Sequence, residues 1–483
     1  MRTQGSMTQE SMTQDQVSYV VEKVLERLKT TEPGFSKEDS TLSPLKFIPK
    51  SGLFDSVEEA VQAAIEAQRE LVRLSLEKRK ELLQKIRKAC KDEAKNLAEM
   101  AVQETGLGRI EDKIQKNLLV IRKTPGIEDV EPCVFTGDHG MTLVERAPYG
   151  VIGAITPCTN PTETIICNSI GMIAAGNSVV FNAHPLAKNV CAKIVDIINR
   201  AIVDNGGPHN VLSSIYNPSI ETAQELMKHK KIRLLVVTGG PDVVKAAMNS
   251  GKKVIAAGPG NPPVVVDETA DIEQAARDIV RGASLDNNIV CIAEKEIICV
   301  DCVADALKEA MKKHGVYEVN PYQLKQLEKV ILKDTYPNKS FIGKNANVIL
   351  KEIGVLVGDD IRLVLAETPR DHLFVTRELL MPVIPLVRVR NVDEAIELAK
   401  EVEHGFGHTA VMHSKNIDHL HKMAKRIQTA IFVKNGPSFS GLGLEGEGFT
   451  SFTIASPTGE GLTSAKNFTK ELRCVLKDRF RII

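Results

Sequence analysis

Two series of short apolar runs, separated by segments of helical periodicity, constrain this chain more than any other feature. Val151-Ile-Gly-Ala-Ile155, Ser178-Val-Val-Phe181, Val211-Leu-Ser-Ser-Ile215 and Leu234-Leu-Val-Val237 form the first series. Pro263-Val-Val-Val266, Glu296-Ile-Ile-Cys-Val300, Arg362-Leu-Val-Leu365, Val383 to Val389 and Ala430-Ile-Phe-Val433 form the second. Runs of this kind suit strands buried on both faces, and the helices between them supply the crossovers of parallel sheets. The expected fold class is α/β, with two α/β domains in a chain of 483 residues. Thr164 to Ala187 is long and uncharged. Asn168, Ser169, Gly171, Gly176, Asn177 and Ser178 interrupt it, so it reads as buried helix, turn and strand rather than a membrane span.

Composition removes several functions. Lysine plus arginine equals aspartate plus glutamate at 62 each, so no global field draws the chain to nucleic acid or membrane. The absence of Trp argues against a sugar or single-strand stacking platform. Nine irregularly spaced cysteines fit reduced thiols in a cytosol-like compartment better than a disulfide framework. Cys299-Val-Asp-Cys302 has no second ligand pair and reads as a strand end, so no metal is expected.

Ahead of the alternation, residues 1–14 are polar and read as disordered, without the apolar core of a secretory signal. Val17, Val20, Val21, Val24, Leu25 and Leu28 then fall on one helical face within residues 15–29, and charged residues fall on the other. Residues 31–50, with Pro33, Gly34, Pro44 and Pro49, read as a linker. Such a tethered helix either docks on its own domain or offers a handle to a partner, and the linker favours the handle. From Ser56 the pattern is helical to roughly Glu104, with Ser75 capping a second long helix.

Cys291 is the candidate nucleophile. It lies between a helical segment and an apolar run, at the polar turn carrying Asn287-Asn288. Thr156-Pro157-Cys-Thr-Asn160-Pro161 and Thr238-Gly239-Gly240-Pro241 each follow a strand of the first series, where doubly wound sheets place ligand loops. The second of these opens a helix at Asp242, and its glycines allow amides to approach a phosphate. A plain strand-to-helix turn is the other reading. No G-x-G-x-x-G follows a strand, so an ordinary Rossmann dehydrogenase is not supported.

Taken in order, Pro148-Tyr-Gly-Val-Ile-Gly153, the Thr156 loop, Ala174-Ala-Gly-Asn-Ser-Val-Val-Phe181, Thr238-Gly-Gly240, Gly258-Pro-Gly-Asn-Pro262, Cys291 and Glu378-Leu-Leu-Met-Pro382 resemble the aldehyde dehydrogenase superfamily from about Ser51 to the C-terminus. The resemblance implies two Rossmann-type α/β domains plus a small oligomerisation β-element. It makes Cys291 the thiol that attacks an aldehyde, with a hydride leaving to nicotinamide and a thioester remaining. Glu378 would position the nicotinamide ribose. Thr156, Pro157, Asn182, His184, Thr238, Gly239 and Gly240 would line the dinucleotide site.

The departures name the reaction. Hydrolytic members carry a water-activating glutamate in the segment that reads Ala256-Ala-Gly-Pro-Gly-Asn-Pro262 here, with Ala256 in its place. Loss of a general base slows water attack by ~10²–10⁴-fold, whereas a thiol ionises readily enough to attack without one. Cys158-Thr-Asn160, Asn182-Ala-His184-Pro185, His408 and Pro457-Thr-Gly-Glu-Gly461 likewise resemble the CoA-acylating branch. The tethered helix resembles the encapsulation peptides of that branch's propionaldehyde dehydrogenases, found in bacterial diol-degrading microcompartments.

The expectation is therefore NAD-dependent conversion of a short-chain aldehyde, propionaldehyde foremost, and coenzyme A to acyl-CoA. NADP remains the alternative left by the replaced contacts at 182–185. Asn160 and the Cys291 amide would donate to the oxyanion, at ~3 kcal/mol per donor. His408 would shuttle the CoA thiol proton with a pKa suited to neutral pH. The dinucleotide-binding domain would comprise 51–128 and 148–257, and the catalytic domain 258–471. Strands in 129–147 and 472–483 resemble exchanged strands and imply a homo-oligomer. Residues 15–29 would bind a shell protein inside a microcompartment of the bacterial cytoplasm. The rivals are a hydrolytic enzyme with a replacement base, and an inactive shell-binding scaffold.

Overall fold

The structure, a computed structural model, describes residues 51–483, so the amphipathic segment 15–29 and linker 31–50 lie outside the described residues. The first apolar series forms a six-stranded parallel sheet. Its order is Leu53–Phe54, Leu212–Ile215, Ser178–Asn182, Val151–Ile155, Leu234–Thr238, Lys253–Ala257. The second forms a seven-stranded parallel sheet ordered Val316–Glu318, Leu363–Glu367, Val383–Val389, Glu296–Val300, Pro263–Val266, Thr409–His413, Ile431–Lys434. Every residue of Val151–Ile155, Ser178–Asn182 and Glu296–Val300 is buried, as β-branched runs covered on both faces require.

The helices around the first sheet begin where the sequence marks them. Ser56 and Ser75 accept the backbone N–H of Glu59 and Lys78 from one turn in, at 3.3 and 3.1 Å. The region to Glu104 is three helices rather than two, because the chain breaks again at Glu93. Helix Pro161–Ala174 is buried on all sides, and strand Ser178–Asn182 follows the turn at Gly176, so the uncharged stretch is interior. No described helix is long and apolar enough to cross a membrane.

A third sheet is antiparallel: Cys133–Gly137 pairs with Gly140–Pro148, which pairs with Thr469–Lys477. Val134, Phe135, Leu472 and Val475 on it are exposed. Strands Leu53–Phe54, Lys253–Ala257, Val316–Glu318 and Thr409–His413 have no counterpart in the sequence reading.

Candidate active site

The topology brings two sheet edges together. Ile155 pairs with Asn182 and Val237, and Thr238 with Ala257, so Thr156–Asn160, Asn182–His184, Thr238–Gly240 and Gly258 share the C-terminal edge of the first sheet. From Ala257 the chain passes through Gly258–Pro262 into Pro263, at the N-terminal edge of the second sheet. Cys291, Glu378 and His408 precede the strands starting at Glu296, Val383 and Thr409 of that same edge. Asn261 fastens the crossing, its Nδ2 donating to the carbonyls of Val375 and Val402 at 3.0 and 2.9 Å.

Gly260 is the point where three of the predicted residues meet. A Cβ there would lie 2.8 Å from the Cys291 carbonyl oxygen and 3.1 Å from Cγ of the His408 ring. Its amide faces the Glu378 carboxyl and favours the ionised form. Only a residue without a side chain admits this approach.

The turn before Cys291 is strained. Asp286, Asn287 and Asn288 have φ of 48°, 55° and 66°, a left-handed run that side chains must hold in place. Asn287 Nδ2 donates to the Gly343 carbonyl (2.8 Å) and Asn345 Oδ1 (2.7 Å). Asn288 Nδ2 donates to the Ala283 and Glu294 carbonyls at 2.7 and 2.9 Å. Lys295, buried beneath, donates to both Asn288 oxygens at 2.7 Å and lies 3.8 Å from Glu378 Oε1.

Cys291 is half-buried, and enclosure, then the Glu378 charge, pushes its thiol up to about 12. The resting form at neutral pH is the thiol, so attack requires a base. Burial raises Glu378 to about 7, against the opposing pull of Lys295 and the Gly260 amide. That value suits a group exchanging protons near neutrality. His408 differs from expectation. Burial, then Lys295, depresses it to about 4, so its imidazole is neutral. Its Nδ1 lies 2.9 Å from Thr409 Oγ1, its N–H donates to Glu403 at 2.9 Å, and its buried Nε2 has no hydrogen-bond partner.

Asn160 is 6 % exposed and its Oδ1 accepts from Lys116 Nζ at 2.6 Å, leaving Nδ2 only a long bond of 3.3 Å to Thr159. The buried cluster of Lys113, Lys116, Glu163 and Asp286 behind it was not anticipated. Lys113 and Lys116 recur every third residue of a helix that is otherwise amphipathic, which is faint as a signal. Lys295 was missed too, although Glu294-Lys-Glu296 is a charge run feeding a buried strand.

On the first sheet, Asn182 spends its amide internally, accepting from Thr222 Oγ1 (2.7 Å) and donating to the Ser219 carbonyl (3.4 Å). His184 is half-buried, and its Nδ1 accepts from the Leu186 amide at 3.2 Å. Thr156, 2 % exposed, donates its N–H to the Asn182 carbonyl, and Pro157 turns the chain toward Asn160. Thr238 Oγ1 lies 3.4 Å from Thr453 Oγ1. Gly240 caps a helix starting at Pro241, one residue before the expected start, and a Cβ built on it meets nothing within 4 Å. An open helix N-terminus at the sheet edge fits a dinucleotide pyrophosphate. Ala256 is fully buried, and its N–H donates to Thr458 Oγ1 at 3.1 Å, so the Pro457–Gly461 segment lies against the position that lacks a carboxylate.

The model of the aldehyde dehydrogenase family matches residues 48–317 and 362–448. The chain belongs to that family. It is 48% identical to the acetylating acetaldehyde dehydrogenase EutE of Salmonella typhimurium over 98% of this chain and 100% of the other. Among solved structures it is similar to a Rhodopseudomonas palustris propionaldehyde dehydrogenase with bound CoA and an acylated cysteine. The TM-score is 0.87 with 53% identity, over 88% of this chain and 98% of that one. It is also similar to a propionaldehyde dehydrogenase from the fucose-utilisation microcompartment of Clostridium phytofermentans. There the TM-score is 0.89 with 47% identity, over 90% and 100% of the two chains.

Proposed function

We propose that this member of the family oxidises a short-chain aldehyde, propionaldehyde foremost, and passes the acyl group to coenzyme A. The observation that carries this is the buried methyl of Ala256 where hydrolytic members hold a water-activating carboxylate. Cys291 Sγ adds to the aldehyde carbon to form a thiohemiacetal, the thiol proton passing to solvent. The Asn160 amide and the Cys291 N–H receive the oxyanion. Thr156, Pro157, Asn182, His184, Thr238, Gly239, Gly240 and Glu378 are the residues that would hold NAD, which would supply the hydride acceptor for thioester formation. The thiolate of CoA then displaces Cys291, and neutral His408 offers its unpartnered Nε2 to the CoA thiol hydrogen.

The dinucleotide domain is 51–128 with 148–257, and the catalytic domain is 258–471. The exposed apolar residues of the antiparallel sheet support pairing of that sheet in a homo-oligomer. Residues 15–29 serve as the handle for a shell protein of a bacterial microcompartment. The test is NADH formation from propionaldehyde with CoA present and absent. Without CoA, turnover stalls after one NADH per active site, and Cys291→Ala gives none in either case. Sustained CoA-independent turnover would refute the acylating reading in favour of hydrolysis.

A further inference from the structure

Lys116 lies on the helix Ile110–Lys123 and is 1 % exposed, far from either sheet edge in sequence. Its ammonium carries three donors and no acceptor. Two are spent in hydrogen bonds, to Asn160 Oδ1 and Asp286 Oδ2 at 2.6 Å each, and Glu163 Oε1 lies 2.9 Å away as an ion-pair partner. Two consequences follow from that geometry.

The first concerns the amide. An NH₂ group cannot face an ammonium at hydrogen-bond distance, so Lys116 fixes which end of Asn160 points away from it. The end left over is Nδ2, the donor. The second concerns the turn. Asp286 opens the left-handed run that leads to Cys291. Its Oδ2 accepts from Lys116 and from Lys113 (2.9 Å), and its Oδ1 accepts from the Arg109 amide at 2.7 Å. Lys113 also donates to the Thr159 carbonyl at 3.1 Å, next to Asn160. Asp286 is held ionised. Burial alone would raise it, and Lys113 and Lys116 together outweigh that.

We propose that Lys116 is a positioning residue that orients the Asn160 amide and couples it to the turn presenting Cys291. The two oxyanion donors come from loops of different sheets, and one buried cation sets their relative placement. This rests on the reading of Asn160 as an oxyanion donor and deepens it. The cluster is charge-balanced, two lysines against Glu163 and Asp286, so removing one member leaves an uncompensated buried charge.

The test is a double-mutant cycle on the full chain, read as kcat and aldehyde KM with propionaldehyde, NAD and CoA. Asn160→Ala lowers kcat by ~10²–10³-fold, the loss of one oxyanion donor. Lys116→Met lowers kcat by ~10–10²-fold with KM nearly unchanged, because only transition-state binding is affected. The loss in the double variant is smaller than the product of the two single losses, because the part of the Lys116 effect that acts through the Asn160 amide cannot be lost twice. Lys116→Gln, which keeps an N–H donor, recovers part of kcat and carries the cycle where Lys116→Met does not fold. Multiplicative losses, a parental kcat in Lys116→Met, or failure of Lys116→Gln to fold would overturn the proposal. A parental kcat in Asn160→Ala would instead remove the oxyanion reading beneath it.

Discussion

Gly260→Ala isolates the close approach on which the site depends. The Gly260 φ lies outside the left-handed region, so alanine meets no backbone penalty there. Space is the whole effect. The new methyl would sit 2.8 Å from the Cys291 carbonyl oxygen, about 0.6 Å short of ordinary contact, and 3.1 Å from the His408 ring. The carbonyl is backbone and cannot rotate aside, so either the Cys291 turn or the Gly258–Pro262 crossing moves. Misplacing a reacting group by ~1 Å costs ~10²-fold, so a shift of about half that costs roughly 10-fold or more in kcat/KM. Overpacking of this kind costs about 1–3 kcal/mol in stability. The assay is CoA-dependent NADH formation, paired with thermal unfolding and with the alkylation rate of Cys291 by iodoacetamide. Folded Gly260→Ala protein with activity within twofold of the parent would show that Cys291, His408 and Glu378 do not converge on Gly260 as described.

Other outcomes follow from the same structure. His408 titrates near 4 in the fold against 6.5 when free, so the unfolded chain binds the extra proton first and stability falls as pH drops from 6.5 through 4. That contribution is about 3 kcal/mol, and a His408→Gln variant should show a shallower acid limb in pH-dependent melts. Unchanged slopes would contradict the buried neutral imidazole. Aspartate at both Phe135 and Val475, which are 59 % and 64 % exposed, should lower the sedimenting mass of the proposed homo-oligomer; an unchanged mass would refute pairing through this sheet. Deleting residues 1–30 should leave kcat within twofold while abolishing co-localisation with shell proteins, and a loss of activity would instead favour docking on the chain itself.

Much of the fold was legible because buried parallel strands leave a local record. Val151–Ile155 and Glu296–Val300 are apolar throughout since both faces are covered, and Ser56 and Ser75 announce helix starts through a bond made within four residues. Strand Thr409–His413 escaped because its neighbours, not its own composition, make it a strand. The polar turn singled out Cys291 as the candidate nucleophile, and the motif around Ala256 showed where a carboxylate is missing.

The state of those groups was not legible. Nothing local to His408 says that its ring is sealed against Gly260 and held near 4, or that Glu378 rises to about 7. Both follow from removal of water by residues distant in sequence. Lys116 is the extreme case, an ammonium in a helix whose three partners lie 44, 47 and 170 positions along the chain. Sequence alone determined the α/β layers, the thiol and the missing carboxylate, because each is written in a short stretch of residues. Tertiary structure decided which groups hold protons and how the Asn160 amide is aimed, because burial and long-range ion pairing set both.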